Sequence, residues 1–320
     1  MNTPSRAKLI AAFATIYLVW GTTYLAIAVV VRTLPPFASG AIRFGIAASL
    51  MYALLRLRGA RPLAGVHWPT AAIAGVLLSG IGNGFVIWGQ QTVPSGIAAL
   101  LVAALPLWIM FFDTVGFARR RPGIKDLIGS VIGLAGVVLI VAQTRRFDGA
   151  GAFLPTLMIL IATFAWAIGT LVQRHGVKPG QLGAFACAQM AAGAVFQALC
   201  ALPLGEWSAL QTSDFTPHAI AALLYLAIFG SIIAFSAYLW LVTKVPVSAV
   251  ATYSLVNPVV AMALGTWLLG ERIEGSAIAA SVLVLIGVGL VLWPARKQAP
   301  STSVPTDPLS LANAEAKISH

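Results

Sequence analysis

The chain has 320 residues, of which 59% are hydrophobic and only 9% are charged. Soluble domains usually carry about 25% charged residues, so this composition excludes a water-soluble fold. The formal net charge is +11, but the basic residues lie at the ends of apolar blocks rather than in one patch interleaved with aromatic residues. The positions of these basic residues therefore indicate how the chain is oriented in the membrane, and we expect no nucleic-acid partner.

Apolar blocks of about twenty residues, the length of a membrane-spanning helix, follow one another along the chain. Residues 1–28 also have the pattern of a secretory signal peptide, but the apolar run continues through Val31, which favours a retained first helix. Residues 296–320 lack an apolar period, so we predict a disordered cytoplasmic tail. The ten predicted spans are 9–31, 36–55, 69–90, 95–117, 126–142, 152–172, 181–203, 217–240, 247–269 and 276–293.

The lysines and arginines of the loops and tails are distributed unevenly between the two sides of the membrane. Cytoplasmic loops carry an excess of these residues. If the N-terminus is cytoplasmic, only Arg32, Arg145, Arg146 and Arg272 fall on the opposite side. We therefore predict a multi-pass protein of a bacterial-type inner (plasma) membrane with both termini in the cytoplasm.

The two halves of the chain resemble each other at an offset of about 152 residues, a type of internal repeat that defines architecture. Each half, 1–142 and 143–295, contains five predicted spans, and an odd number inverts the second copy in the membrane. Inverted repeats permit alternating access to a site near the midplane, which favours a transporter. The matching residues are Trp88 and Trp240, Val93 and Val245, Pro94 and Pro246, Ala99 and Ala251, and Pro106 and Pro258.

Several longer segments resemble a known family. They include YLVWGTTYLAI from Tyr17, PPFASGAIRF from Pro35, VPSGIAALLVAALPLW from Val93 and VPVSAVATYSLVNPVVAMALGTWLLGE from Val245. The combination is similar to the drug/metabolite transporter superfamily, specifically to its EamA-domain members and among them the YedA-like proteins. The resemblance implies ten helices in two inverted repeats, a central cavity, and export of amino acids, related metabolites or drugs. A role for the glutamate of LLGE carries over only to Glu271.

Two ionisable residues, Arg43 and Asp113, lie clearly inside predicted spans, where charges are costly and mark functional candidates. Arg43 lies about 10 Å below the outer end of its span, at a depth similar to that of Asn83. We predict that Arg43 binds a substrate carboxylate with its planar fork and that Asn83 adds hydrogen bonds. The alternative is that Arg43 bonds helix carbonyls or snorkels outward. Asp113 is interpreted as an interfacial group rather than a proton relay.

Aromatic and amide side chains deep in other spans extend this predicted site. Trp20, Trp166 and Asn257 fall near the middle of their spans, and Gln189 lies somewhat nearer the cytoplasm. Aromatic faces with a few polar atoms suit an amphipathic ligand. Helix packing of the tryptophans and interhelical hydrogen bonds of the amides are the alternatives. The predicted substrate-binding residues are Arg43, Asn83, Trp20, Trp166, Gln189 and Asn257.

Proline and glycine residues inside the spans predict local geometry. Pro106 and Pro258 are predicted to kink their helices and to act as hinges, with permanent packing kinks as the alternative. The spacings Gly80/Gly84 and Gly129/Gly133 favour close approach of helices. We expect packing within one chain from these glycines, and a homodimer contact is a further possibility.

The sequence carries no motif for catalysis or nucleotide binding. Paired intramembrane aspartates, HExxH, GxSxG and GxxxxGK[ST] are all absent from the sequence, so we expect neither an enzyme nor an ATP site. No metal or other cofactor is predicted, and the expected partners are a small-molecule substrate and membrane lipid. A passive channel and a membrane sensory or interaction protein are the alternatives to a secondary transporter.

Overall fold

The computed structural model describes residues 4–60, 65–112, 114–115, 123–147, 152–178, 180–271 and 275–292. These residues form helices joined by short turns and contain no β-strand. The predicted tail 296–320 and Asp113 lie outside the described residues. The all-α fold class is thus confirmed for the described part of the chain.

The described residues contain ten long helices, and five of them are preceded by proline or by a side chain that caps the first turn. Ser5 Oγ accepts a hydrogen bond from Lys8 N at 3.4 Å, and Thr216 Oγ1 accepts one from Ala219 N at 3.2 Å, as is typical of helix starts. The helices are α1 Arg6–Val30, α2 Pro36–Leu57, α3 Trp68–Gly89, α4 Ser95–Phe112, α5 Ile124–Phe147, α6 Phe153–Gly176, α7 Leu182–Ala201, α8 Pro217–Lys244, α9 Val247–Leu269 and α10 Gly275–Leu292.

Nine of these helices, α1 to α9, are long and apolar enough to cross a membrane in the part of the chain that the structure describes. The apolar part of α10, Ala277–Leu292, is shorter. The fold is therefore that of a multi-pass helical membrane protein, while the count of ten crossings stays a prediction.

Irregular turns interrupt the helices in the same order in both halves. The stretch Val76–Gly82 of α3 is π-helical, and so is Leu226–Ile233 of α8. The α-helical pattern also breaks at residues 103–104 of α4 and 251–252 of α9. Single π-helical turns inside α-helices occur frequently at functional sites, and both π stretches here adjoin the cavity described below.

Glycines bring α5 and α10 into backbone contact. A Cβ at Gly287 would lie 2.3 Å from Gly133 N and 2.5 Å from Gly129 O, so any side chain there would separate the two helices. Gly80 similarly lies against the ring of Phe196 in α7. Both predicted glycine spacings thus serve packing within the chain. The homodimer stays a prediction.

Two glutamates of the second half cap helices of the first half. Glu206 is 8% exposed, and its Oε2 accepts a 2.7 Å hydrogen bond from Ala38 N in the first turn of α2. Burial raises the pKa of Glu206, while the backbone N–H groups of Ala38 and Phe37 act to lower it. Glu271 follows α9 and accepts hydrogen bonds from Ser95 N at 3.0 Å and Ser95 Oγ at 2.8 Å.

These two carboxylates join the halves at the end of the bundle where α2 and α4 begin. Carboxylates are favourable at helix N-termini because they satisfy free N–H groups and interact with the helix dipole. The family resemblance implied a role for a glutamate at position 271 only. In the structure, Glu271 accepts hydrogen bonds from Ser95 of the other repeat. By the predicted topology, this end of the bundle faces away from the cytoplasm.

Candidate functional site

A central cavity lies among helices of both halves. Its wall combines aromatic and aliphatic side chains with a few polar groups, which is the usual composition of a small-molecule site. Helices α1, α2, α3, α4, α6 and α9 contribute to it. Five of the six predicted substrate-binding residues line this cavity: Trp20, Arg43, Asn83, Trp166 and Asn257.

Arg43 is the charged residue of the cavity wall, and it is only 2% exposed. Its Nε donates to Ser231 Oγ at 3.0 Å and its Nη1 donates to Asn83 Oδ1 at 3.3 Å. The guanidinium carbon lies 4.7 Å from the centroid of the Phe44 ring. None of the carboxylates that the structure describes forms an ion pair with Arg43. A guanidinium has five N–H donors, and the two donors of Nη2 form no hydrogen bond within the described residues.

The π-helical turns orient the two acceptors of Arg43. Asn83 Nδ2 donates to Leu78 O at 3.1 Å, and Ser231 Oγ donates to Leu226 O at 3.0 Å. Both bonds reach a carbonyl five residues earlier, which is the spacing that a π-helical turn brings together. Each side-chain oxygen then accepts from Arg43. One group from each repeat therefore holds the guanidinium, and Ser231 is a residue that sequence reasoning missed.

A cluster of aromatic rings surrounds Trp20, and Trp20, Trp166 and Tyr253 of this cluster line the cavity. The ring centroids of Tyr238 and Tyr253 both lie 5.0 Å from that of Trp20, and those of Phe235 and Trp166 lie at 5.4 and 5.5 Å. Trp20 Nε1 donates to the carbonyl of Gly230 at 3.1 Å in the π-helical stretch of α8. The indole N–H is thereby satisfied, and Trp20 contributes an apolar surface.

The other tryptophan of the wall, Trp166, is fixed by a hydrogen-bonded tyrosine. Trp166 Nε1 donates to Tyr238 Oη at 3.3 Å, and Tyr238 Oη lies 2.6 Å from Thr170 Oγ1. Packing and ligand contact are thus compatible roles for Trp20 and Trp166, because each ring is held by the protein and also lines the cavity.

Asn257 links α9 to α1 beside the cavity. With its amide oriented so that nitrogen is the donor, Asn257 Nδ2 lies 3.2 Å from both Tyr253 O and Tyr17 O. Pro258 follows Asn257 inside the continuous helix Tyr253–Leu269. Because proline has no backbone N–H, one carbonyl of the preceding turn lacks its usual hydrogen-bond donor.

The two predicted hinge prolines differ in their surroundings. Pro106 is the second residue of the segment Leu105–Phe112, directly after the break in α4, where a missing N–H costs little. The break in α9 instead precedes Pro258 by several residues. The hinge role stays a prediction for both residues.

Gln189 does not line the central cavity. Gln189 is 2% exposed. Its backbone carbonyl oxygen would lie 2.3 Å from a Cβ at Gly75, so this part of α7 is packed tightly against α3. In the part of the chain that the structure describes, Gln189 Oε1 has no hydrogen-bond partner.

Comparison with known proteins agrees with this architecture. The sequence matches the EamA-like transporter family over residues 7–142 and 154–293. It is 35% identical over 299 residues to the uncharacterized inner membrane transporter YedA of Escherichia coli (strain K12), covering 90% of this chain and 93% of YedA. It is 22% identical over 282 residues to the uncharacterized transporter YoaV of Bacillus subtilis (strain 168), covering 88% of this chain and 95% of YoaV.

A solved crystal structure shares the fold. It superposes with a TM-score of 0.64 at 22% sequence identity, covering 89% of this chain and 96% of the other. The matched family regions together span most of the sequence and include every residue of the cavity. The chain therefore belongs to the EamA-like transporter family and is a multi-pass transporter of the inner membrane.

Proposed function

We propose that the chain exports small carboxylate-bearing metabolites, such as amino acids or their derivatives, by alternating access through the central cavity. The observation that carries this proposal is Arg43, a buried guanidinium that lines the cavity and has no partner among the described carboxylates. A guanidinium matches a carboxylate in charge and in bidentate geometry. Asn83 positions Arg43, and Asn257 is a further polar contact for the substrate in the cavity lining. The export direction rests on the family resemblance, which also includes drugs.

The construction of the cavity supports alternating access. Its wall takes residues from both repeats, and the groups that hold Arg43 come one from each repeat. The Glu206 and Glu271 caps join the halves at one end of the bundle. Opening that end would release these caps while the cavity stays in place, which is the arrangement expected of inverted-repeat transporters. Both termini lie in the cytoplasm under this proposal, and the substrate and membrane lipid are its partners.

Solute uptake by purified protein in proteoliposomes tests the proposal. We expect saturable uptake of at least one carboxylate from a panel of amino acids, acylated amino acids and cationic drugs, measured with and without a proton gradient. Counterflow by unlabelled solute is also expected, because a carrier exchanges its substrate whereas a channel does not. Absence of transport for the whole panel by well-folded protein would contradict the proposal and favour a sensory or interaction role. Uptake that neither saturates nor shows counterflow would favour a channel.

A further inference from the structure

The charge of the cavity wall restricts the substrates that it can bind. Arg43 carries a formal positive charge, and none of the described lining residues is acidic. The described acidic residues, Asp126, Glu206, Asp214 and Glu271, do not line the cavity. We infer, building on the proposed function, that the cavity selects organic monoanions, in which the amino group is absent or acylated, over zwitterionic amino acids.

The first reason is the net charge of the occupied site. A monocarboxylate neutralises Arg43, whereas a zwitterion brings a second positive charge and leaves the occupied site with the same net charge as the empty one. Charges interact strongly in a water-poor protein interior, and an uncompensated buried charge is costly. The closed, loaded state that a carrier must pass through is therefore more favourable with a monoanion.

The second reason is the lack of a strong site for an ammonium group. Asn83 Oδ1 already accepts from Arg43, so an ammonium there would also meet a like charge. The other oxygens on the lining side chains are uncharged: they belong to Thr23, Tyr24, Thr163, Tyr253 and Asn257. The rings around Trp20 pack mainly against each other at 5.0 to 5.5 Å, which limits the ring surface that a cation could cover.

The apolar side chains of the cavity wall indicate the chemistry of the substrate outside its carboxylate group. Ile27, Val86 and Val102 line the cavity together with Trp20 and Trp166, so the ligand is expected to carry an aliphatic or aromatic body. A monocarboxylate with such a body places its anion on Arg43 and buries its apolar part against this wall. Aryl-substituted carboxylic acids and N-acylated apolar amino acids have this chemistry.

Matched solutes separate this inference from the proposed function. Phenylalanine, N-acetylphenylalanine and 3-phenylpropionate share a ring and a carboxylate and differ in the amine. In proteoliposomes we expect both monoanions to show an apparent KM on the order of tenfold or more below that of phenylalanine. Phenylalanine transported as well as or better than both monoanions would overturn the inference and leave the proposed function intact. Transport of cationic drugs alone would also overturn it. No transport of any solute would overturn both.

A variant pair tests the charge argument directly. Thr163 lines the cavity, so Thr163→Asp adds a carboxylate there and Thr163→Asn adds a similar shape without charge. We expect Thr163→Asp to reduce or reverse the preference for monoanions and Thr163→Asn to retain it. An unchanged preference in a folded Thr163→Asp protein would contradict the inference. If Thr163→Asp does not fold, the comparison of the three solutes on the unmodified chain decides.

Discussion

Replacing Arg43 with glutamine should abolish carboxylate transport. The substitution removes the positive charge of the cavity and the bidentate edge that a carboxylate requires, while glutamine can still hydrogen-bond Ser231 or Asn83. Loss of one partner of a buried, hydrogen-bonded charge pair costs about 2–5 kcal/mol, which corresponds to a decrease in uptake on the order of 30-fold or more. Uptake into proteoliposomes at equal protein density measures the effect.

Arg43→Lys should reduce carboxylate transport almost as severely, although lysine keeps the positive charge. A single ammonium cannot donate to Ser231 and Asn83 in the fork geometry and also bind both oxygens of a carboxylate. Gly45→Ala is the matched control on the same helix, because nothing lies within 4 Å of a Cβ there. Full transport by both Arg43 variants, at normal membrane levels, would show that Arg43 is structural and would remove the basis for a carboxylate site.

Replacing Gly287 with alanine should lower the thermal stability of the protein. In Gly287→Ala the new Cβ would meet backbone atoms of Gly133 and Gly129 at 2.3 to 2.5 Å, and backbone cannot move aside as a flexible side chain can. Overpacking of this kind costs about 1–3 kcal/mol. We expect a lower midpoint of thermal unfolding in detergent, together with separation of α10 from α5.

Gly289→Ala provides the matched control on the same helix. A Cβ at Gly289 meets nothing within 4 Å, and alanine has the higher helix propensity. The unfolding midpoint of this variant should equal or slightly exceed that of the unmodified protein. If the two variants had the same midpoint, close packing between α5 and α10 would not contribute to stability.

The arrangement of helices could be predicted from the sequence because lipid requires every backbone group to be satisfied within a helix. The predicted span 247–269 coincides with α9, and 36–55 differs from α2 by two residues at its end. The prediction 95–117 begins where α4 begins, and beyond Phe112 in that range the structure describes only residues 114–115, which are π-helical.

The candidate site could be predicted in part, because polar groups inside a membrane span are rare and therefore conspicuous. This rule identified Arg43, Asn83 and Asn257. It also selected Gln189, which lies outside the cavity, since an amide can equally be buried between packed helices. Ser231 was missed because a serine in an apolar run is common and hydropathy does not encode a π-helical turn. The available signal was a glycine followed directly by a polar residue inside an apolar span, Gly82-Asn83 in the first half and Gly230-Ser231 in the second.

One cavity should open to each side of the membrane in turn, and the accessibility of a thiol in that cavity provides a direct test. Thr163→Cys would be placed in a chain whose free cysteines, Cys187 and Cys200, are replaced by alanine. A membrane-impermeant thiol reagent would then be applied to right-side-out and to inside-out vesicles. We predict labelling from both sides, slowed in each case by a transported carboxylate. Labelling from one side only, with the protein active in transport, would contradict the account.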